Sequence, residues 1–362
     1  MARVLVSPLN WGLGHATRDI PLIQKLLAEG HDVTIAATGN ALAALRQHFP
    51  DCGAMDLPDY PAPYSNTRFF LPHFLASLPF MLRAVADERK NIASILSREK
   101  FDLVISDNRL GVYSEDIPSL FITHQLHYHL PLIAWPGELA AIWLNAFLHS
   151  RFRQVIVPDN PPGPLALAGK LSHADSEPTR SRAYYAGILT STRKLTIPED
   201  LDYLFLISGP EPQRTRLEEI LLSRIQELDG TSMVLLGSPN GRKTRTVSDQ
   251  CTVIPYATTE EKERLMNRAR FIVCRSGYTS MMELAELHKH HALLIPTPGQ
   301  TEQEYLSWYY RKRGWFYSTG QHQLDLSRDI ERAGSGTGFP SMPGTEENVK
   351  RLYDNVLAGY LE

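Results

Sequence analysis

Two glycines, a histidine and an arginine stand together in the stretch NWGLGHATRD, residues 10–19, between two apolar runs. Gly12 and Gly14 would let the backbone turn tightly and approach a ligand without a side chain in the way. A neutral His15 could remove a proton from a hydroxyl group, whereas a charged one could stabilise a phosphate. A lone histidine in such a turn is more often structural, so the hypothesis of acid–base chemistry needs support from other motifs.

This stretch does not fit a dinucleotide-binding turn. Thr17 stands where the pattern G-x-G-x-x-G requires its third glycine, and the second predicted strand ends at residues 36–39, AATG, without an acidic residue for a ribose. An NAD site is therefore not expected. A metal site is not expected either, because the carboxylate pair Asp200 and Asp202 falls in a predicted linker region and not at a strand end.

A second candidate site follows a predicted buried strand within residues 271–287, FIVCRSGYTSMMELAEL. Ser276, Gly277 and the amides after them would form an anion-binding turn at a helix N-terminus. Glu283, one turn into that helix, could accept hydrogen bonds from both hydroxyls of a ribose. The alternative is a structural capping box, S-x-x-E, made by Ser280 and Glu283. The pattern alone leaves both open.

Two weaker motifs follow other predicted strands. The stretch from Ser208 to Arg214, SGPEPQR, could place small groups near a diphosphate, although its two prolines remove two donor N–H groups. The stretch from Pro296 to Tyr305, PTPGQTEQEY, carries amides and carboxylates that suit a polyhydroxylated ligand. It is equally typical of a polar helix start.

The elements that must position these motifs alternate between strands and helices. Near-continuous apolar strands separated by helices predict parallel sheets covered on both faces. A stretch rich in Pro, Gly and Ser at 158–179 separates two such series. We therefore expect an α/β protein with two Rossmann-like doubly wound domains facing a central cleft, at 1–185 and 186–345, and a C-terminal helix at 346–362 that returns to the first. Every motif would lie beyond the carboxyl ends of strands, where such sheets bind ligands.

Composition excludes several classes of protein. The net charge of −3 provides no basic surplus for nucleic acid. Cys52, Cys251 and Cys274 lack a metal-like spacing and predict a reducing compartment. The sequence shows no secretory signal and no run of apolar residues long enough to span a membrane. Two apolar stretches, 69–82 and 133–148, predict either buried helix or a surface that touches a bilayer or a lipid tail.

The order of these motifs resembles that of glycosyltransferases with the GT-B fold. Among these families, the motifs are most similar to the MurG type, which transfers N-acetylglucosamine from its UDP ester to a lipid-linked acceptor. The resemblance is densest between Val253 and Tyr305, and in the first domain it thins to Gly12, Gly14 and His15. Gln303 and Glu304 stand where the family has paired glutamines, so the identity of the transferred sugar is not determined. The first glycine loop contains Trp11 and Leu13 where the family has small residues, so the identity of the acceptor is not determined either.

The resemblance implies a role for each matching position. Ile254 would meet the uracil ring, Glu283 would bind the ribose, and Gln303 with Glu304 would hold sugar hydroxyls. The start of the helix, Ser276 to Thr279, would face the diphosphate, and Ser208 and Gly209 would lie near the phosphates. The donor-binding residues expected are Gly14, Ser208, Gly209, Ile254, Arg275, Ser276, Gly277, Tyr278, Thr279, Glu283, Gln300, Gln303 and Glu304.

On the acceptor side, His15 would face the reaction centre as the catalytic base. Asp107 ends a predicted parallel strand on the same side and is the second catalytic candidate. Arg18 and His124 are expected near the acceptor. For His124, with His127 and His129, the alternative is a structural cluster.

The resemblance implies an inverting hexosyltransferase, and the lack of a D-x-D motif at a strand end favours a reaction without a metal ion. The enzyme would move a hexosaminyl group, N-acetylglucosamine, from a UDP-sugar to a lipid-linked or glycan acceptor, with no separate cofactor. It would be cytoplasmic and peripheral at the inner face of the membrane. Two alternatives remain: an enzyme similar to UDP-N-acetylglucosamine 2-epimerase on the same fold, and a non-catalytic UDP-sugar-binding protein. The two apolar stretches argue against the epimerase, which has no lipid to approach.

Overall fold

The computed structural model describes residues 1–59, 70–127, 146–238 and 244–362. The chain divides into two compact units. Unit 1 comprises Met1–Ser191 with Pro343–Glu362, and unit 2 comprises Thr192–Met342. The divisions therefore fall after residues 191 and 342, whereas the sequence placed them after 185 and 345.

Unit 1 is built on a parallel sheet. In the described part of the chain the sheet has seven strands, which are β1 (Arg3–Pro8), β2 (Asp32–Ala37), β3 (Gly53–Asp56), β4 (Leu103–Asp107), β5 (Ser119–Ile122), β6 (Gln154–Val157) and β7 (Ala183–Tyr185). Their order is β3-β2-β1-β4-β5-β6-β7, and all neighbours are parallel. The central strands are buried almost throughout, as their continuous apolar sequences predict.

Unit 2 repeats this architecture. Its sheet, within the described residues, has the strands β8 (Leu201–Leu206), β9 (Ser232–Leu235), β10 (Arg245–Ser248), β11 (Cys251–Ile254), β12 (Ala269–Cys274), β13 (Ala292–Leu294) and β14 (Tyr317–Ser318). Their order is β10-β11-β9-β8-β12-β13-β14, and the antiparallel pair is β10 with β11. Asp202 lies in β8 and not in a linker as expected, and its carboxylate pairs with Arg270 at 2.6 Å.

Helices connect the strands in both units. The described α-helices are α1 (Leu13–Ala28), α2 (Gly39–His48), α3 (Phe70–Arg98), α4 (Thr179–Arg182), α5 (Gln213–Arg224), α6 (Thr259–Arg268), α7 (Tyr278–Glu286), α8 (Thr301–Arg313), α9 (Leu326–Ala333), α10 (Thr345–Leu352) and α11 (Ala358–Leu361). Short 3-10 turns lie at Gly169–Ser172, Ile225–Glu227 and Gln321–Gln323, and a π-turn at Tyr353–Leu357 joins α10 to α11.

The C-terminal helices complete the core of unit 1. Val349 and Leu352 are buried in the same apolar cluster as the side chains of α1, β1 and β2. The side chain of Asn348 donates to the carbonyl oxygen of Ile188 at 3.0 Å. The N–H of Thr190 donates to the Thr345 hydroxyl at 3.2 Å. These contacts tie the end of the chain to the segment that leaves β7.

In each sheet, the first strand along the chain has later strands on both of its sides. β1 pairs with β2 on one side and with β4 on the other, and β8 pairs with β9 and β12 in the same way. Pro8 lies opposite Asp107, and Leu206 lies opposite Cys274, so the loops after each pair of strands start side by side. Such a switch point is where open α/β sheets bind ligands.

The two apolar stretches lie mostly outside the residues whose side chains are described. Within 69–82, Phe80 and Leu82 are 76% and 45% exposed on α3, and within 133–148, Phe147 is 57% exposed. Among the described helices, none is long and apolar enough to cross a membrane. His129 also lies outside the described residues.

Candidate active site

His15 and Asp107 meet at the switch point of unit 1. His15 lies in the first turn of α1, directly after β1, and Asp107 is the last residue of β4. The Nδ1 atom of His15 is 2.9 Å from Oδ1 of Asp107. An ionised carboxylate can only accept hydrogen bonds, so this contact favours the tautomer with the proton on Nδ1 and the lone pair on Nε2. The side chain of His15 is 15% exposed, whereas that of Asp107 is completely buried.

Arg18 fixes the carboxylate of this pair. Its guanidinium donates to both oxygens of Asp107, from Nε at 2.5 Å to Oδ2 and from Nη2 to Oδ1. The guanidinium is buried and also contacts the rings of His15 and His124. Arg18 and His124, which the sequence placed near an acceptor, are thus brought together with His15, and Arg18 is positioned to hold Asp107 in place.

The electrostatics of the cluster separate the roles of its members. Burial is the largest influence on Asp107 and would raise its pKa, but Arg18 and His15 together hold that pKa well below its usual range. Asp107 is therefore ionised at neutral pH and accepts hydrogen bonds, and its role as a second catalytic residue stays a prediction. Burial lowers the pKa of His15, against the opposing effect of Asp107. The imidazole is accordingly neutral at neutral pH and able to accept a proton.

In unit 2, the N-terminus of α7 lies at the corresponding switch point. Gly277 is the residue that precedes the helix, and no side chain caps the helix there. The proposed capping box of Ser280 and Glu283 is wrong, because the helix begins at Tyr278 and Glu283 lies beyond its first turn. Tyr278 is buried and Thr279 is half-buried. An uncapped helix start directs N–H groups and a partial positive charge toward a ligand.

Glu283 is buried within unit 2. It is 2% exposed, and both of its carboxylate oxygens accept hydrogen bonds from Nζ of Lys262 on α6, at 2.6 and 2.7 Å. The Thr192 hydroxyl donates to Oε1 at 3.4 Å. Binding of a ribose by Glu283 stays a prediction, and it would require the ribose to share this carboxylate with Lys262. The sequence analysis did not identify Lys262.

Arg275 is a buried cation with neutral partners. It is 1% exposed, and burial lowers the pKa of its guanidinium to about 10, so it stays charged at neutral pH. It forms no ion pair with a carboxylate of the described residues. Its acceptors are the carbonyl oxygens of Ser208, Gln213, Ile295 and Pro296 and, at 2.7 Å, the side-chain oxygen of Gln321. Arg275 therefore joins the loops after β8 and β13 and leaves positive charge beneath them.

Gly209 and Thr297 lie next to Arg275 on those two loops. Gly209 has a φ of +112°, which favours glycine, and it leaves its side of the loop open. A Cβ atom at Gly209 would lie 3.4 Å from the Thr297 hydroxyl and 3.9 Å from Nε of Arg275. The Thr297 side chain is 1% exposed, and its hydroxyl has no hydrogen-bond partner among the described residues. Sequence reasoning missed this hydroxyl, since only the structure shows it unpaired.

The first turn of α8 holds the loop that contains Thr297. The Gln303 side chain accepts a hydrogen bond from the Thr297 N–H at 2.8 Å and donates to Gln300. Glu304 accepts from the Gly299 N–H at 3.0 Å. Gln303 also lies next to α7, 3.8 Å from the position of a Cβ atom at Gly277. These contacts position the loop, and the role of these three side chains in holding a sugar stays a prediction.

Ser276 and Ile254 have partners within the protein. The hydroxyl of Ser276 donates to the carbonyl oxygen of Gln303 and accepts from Ser307, both at 2.9 Å. The carbonyl oxygen of Ile254, at the end of β11, accepts from the Leu236 N–H at 3.0 Å. The side chain of Ser276 thus joins the turn before α7 to α8, and contacts of Ser276 with a diphosphate and of Ile254 with a uracil ring stay predictions.

No family model and no curated protein matches this sequence. Solved structures do match, over nearly the whole chain. They include the glycotransferase of kitacinnamycin (TM-score 0.66, 12% identity, 100% of this chain and 99% of that one) and the spinosyn rhamnosyltransferase SpnG (TM-score 0.64, 14% identity, 98% and 96%). Another is MurG of Acinetobacter baumannii (TM-score 0.62, 12% identity, 99% and 100%).

The fold is GT-B. The two doubly wound units, expected from the sequence, are confirmed by these similarities and by the topology of the two sheets. Within this GT-B chain, the switch points place His15 with Asp107 in unit 1 and the α7 N-terminus with Gly209 in unit 2. The described residues contain no group of three or more histidine, cysteine or acidic side chains arranged to hold a metal ion.

Proposed function

We propose that this GT-B protein is a glycosyltransferase that moves a sugar from a nucleotide diphosphate donor to a hydroxyl group. The observation that carries the proposal is the neutral His15, oriented by an ionised Asp107 at the switch point of unit 1. A base with one free ring nitrogen and a fixed partner is suited to removing a proton from an acceptor hydroxyl.

The proposed reaction needs one proton transfer at His15. Nε2 of His15 takes the proton of the acceptor hydroxyl while its oxygen forms a bond to the anomeric carbon. The bond between that carbon and the diphosphate oxygen breaks, and its electron pair leaves with the diphosphate. Attack from the side opposite the leaving group inverts the anomeric centre. Asp107 stabilises the imidazolium that forms.

The departing diphosphate would bind at the switch point of unit 2. The uncapped N-terminus of α7, the buried charge of Arg275 and the unpaired hydroxyl of Thr297 all favour an anion there. Gly209 places no side chain beside Thr297 and Arg275. This set of groups supports a reaction without a metal ion, since positive charge and donors come from the protein itself.

The donor we propose is a UDP-sugar, with N-acetylglucosamine as the sugar, by resemblance to the MurG type. Glu283 would select a ribose, and Gln300, Gln303 and Glu304 would contact the sugar. The neighbour structures include SpnG complexed with thymidine diphosphate, so the nucleobase has to be tested directly. No separate cofactor is proposed.

A lipid-linked acceptor is the second part of the proposal. The exposed apolar side chains of Phe80, Leu82 and Phe147 support it, because they stand at the described ends of the two apolar stretches. Such side chains could contact a lipid tail or the inner face of a membrane. Co-sedimentation with lipid vesicles, compared between the wild type and a Phe80→Ser/Phe147→Ser variant, tests this part separately.

A thermal-shift screen tests the donor. UDP, UDP-N-acetylglucosamine, UDP-glucose, thymidine diphosphate and NAD are compared at equal concentrations. A ligand at about 100 times its Kd stabilises by about 2.7 kcal/mol. We expect stabilisation by the UDP compounds and none by NAD. Stabilisation by NAD alone would overturn the proposal.

The His15→Ala variant then separates an enzyme from a binding protein. We expect it to lose transfer while keeping the UDP affinity of the wild type, since His15 and the proposed diphosphate site belong to different units. His322→Ala, an exposed histidine of unit 2, is the control. Unchanged turnover in His15→Ala would show that another group is the base.

A further inference from the structure

Asp19 is a buried carboxyl group without a donor. It lies on α1, it is 1% exposed, and neither of its side-chain oxygens meets an N–H or hydroxyl donor among the described residues. An ionised carboxylate is rarely buried in this way, because it loses its hydration and gains nothing in return. The group must therefore carry a proton or take part in a contact between two carboxyl groups.

The surroundings of Asp19 point to a contact between two carboxyl groups. His15, Arg18 and Asp19 are spaced i, i+3 and i+4, so they share one face of α1. His15 and Arg18 both contact Asp107. The charge of the Asp107 carboxylate and a hydrogen bond between the two carboxyl groups both raise the pKa of Asp19, so the two groups lie next to each other. Two carboxylates cannot form that bond unless one of them keeps a proton.

The charges around the pair decide which carboxyl group is neutral. Asp107 accepts from Arg18 at both oxygens and from His15, and these donors favour its ionised form. Asp19 receives no such donor. Burial and the charge of Asp107 both raise the pKa of Asp19 well above its usual range, against the opposing effect of Arg18. His124 also belongs to the surroundings of the pair, because its ring contacts the guanidinium of Arg18.

We propose that Asp19 is a neutral carboxylic acid that donates its proton to Asp107 and so positions the His15–Asp107 pair. Asp107 then accepts from His15, from Arg18 and from Asp19, which fills the acceptor sites of its two oxygens. A carboxylate held in this way keeps its orientation and does not take the proton from His15. The catalytic consequence rests on the proposed function, whereas the protonation of Asp19 does not.

Two substitutions of similar size test this. Asp19→Asn keeps a neutral donor, and Asp19→Leu keeps the volume without a donor. The pKa of His15 is measured by NMR on the full-length protein with labelled histidine, and its signal is assigned by its loss in His15→Gln. This readout requires no substrate, so it distinguishes failure of the inference from failure of the glycosyltransferase proposal.

We expect the pKa of His15 to be the same in Asp19→Asn as in the wild type, because a neutral group replaces a neutral group. If Asp19 were ionised, its removal would take a negative charge away from the imidazole and lower the pKa of His15. Such a lowering would overturn the proposal.

Infrared spectra of protein labelled at aspartate provide a second measurement. The carbonyl band of a protonated acid should disappear in Asp19→Asn, and no loss of that band would also overturn the proposal.

Transfer kinetics then test the positioning role. We expect kcat of Asp19→Leu to fall about tenfold or more, the usual effect of losing one hydrogen bond to a charged group. Asp19→Asn should restore most of that loss, and the KM for the donor should change in neither variant. Equal kcat values in both variants and the wild type would exclude a positioning role.

Discussion

The carboxylate of Glu283 is held by Nζ of Lys262, at 2.6 and 2.7 Å, and not by the backbone of its own helix. The two residues are joined across α6 and α7, and the carboxylate is almost completely buried. A buried carboxylate that loses its cation destabilises the folded state, because its charge is left without compensation.

Removing this cation should therefore destabilise the protein. For Lys262→Met we expect the free energy of unfolding of unit 2 to fall by about 1–3 kcal/mol, less than for a fully buried pair since Lys262 is one-third exposed. Urea denaturation measures it. Arg264→Met, an exposed position on the same helix, is the matched control. Equal stability of both variants would mean that the ion pair contributes nothing.

If Glu283 also binds a ribose, it should discriminate against a donor without the 2′-hydroxyl. We expect the wild type to bind UDP about tenfold more tightly than 2′-deoxy-UDP, as for one hydrogen bond to a charged group. In Glu283→Gln this preference should shrink while binding of 2′-deoxy-UDP changes little. Calorimetric titration gives both affinities. An unchanged preference would assign Glu283 a purely structural role.

Gly209 should be sensitive to a side chain for two reasons. Gly209→Ala strains a backbone with a φ of +112° and places a methyl group beside the Thr297 hydroxyl. Gly314→Ala, with a φ of +73° and no atom within 4 Å of its Cβ position, reports backbone strain alone. Both should lower stability by about 1 kcal/mol. We expect only Gly209→Ala to weaken binding of UDP, and equal binding in both would argue against a diphosphate next to Gly209.

The pH dependence of transfer should follow His15. Because burial lowers its pKa from 6.5, the base form persists below that pH, and kcat/KM should stay level from neutral pH to the acid side of 6.5 before falling. Asp107 raises the pKa of His15. Asp107→Asn should therefore move the acid limb to still lower pH, and the loss of orientation should reduce kcat by about 100-fold or more. An acid limb that moves to higher pH would contradict this assignment.

His149 should make unit 1 sensitive to acid. It is buried against Phe121, with ring centroids 5.0 Å apart, and burial lowers its pKa to about 4. The unfolded chain binds a proton near pH 6.5 and the folded one does not, so stability present above pH 6.5 is lost as pH falls toward 4. The loss should be on the order of 3 kcal/mol. Denaturation of His149→Phe between pH 7 and 4 should show a smaller decline, and an equal decline would refute this.

The sequence predicted the strand ends at which the candidate residues lie. His15 and Asp107 are far apart in the chain, but the rule that ligands bind at the carboxyl ends of parallel strands predicted both. The sequence could not predict how the charged side chains pair. Lys262 lies on a polar helix whose rotation the pattern does not specify. Arg275 follows a buried strand like a phosphate ligand, yet its guanidinium is directed into the interior, and only coordinates distinguish the two.

Asp19 was overlooked for a related reason. An acidic residue in the first half of an amphipathic helix is ordinarily a solvent-exposed partner of the helix dipole. Here α1 begins at Leu13, and its face with Arg18 and Asp19 is buried. Tertiary packing thus buried a group that local pattern would leave in water.

The contacts of Asn348 with Ile188 and of Thr345 with Thr190 have a consequence for synthesis on the ribosome. Unit 2 is one uninterrupted segment, and all of it emerges before Pro343–Glu362 does. We expect unit 1, although begun first, to complete its core only after Pro343–Glu362 has been synthesised and has emerged. A fragment ending at Ser191 would expose the apolar surface that α10 covers, and expression of unit 1 by itself would need a short linker from residue 191 to residue 343.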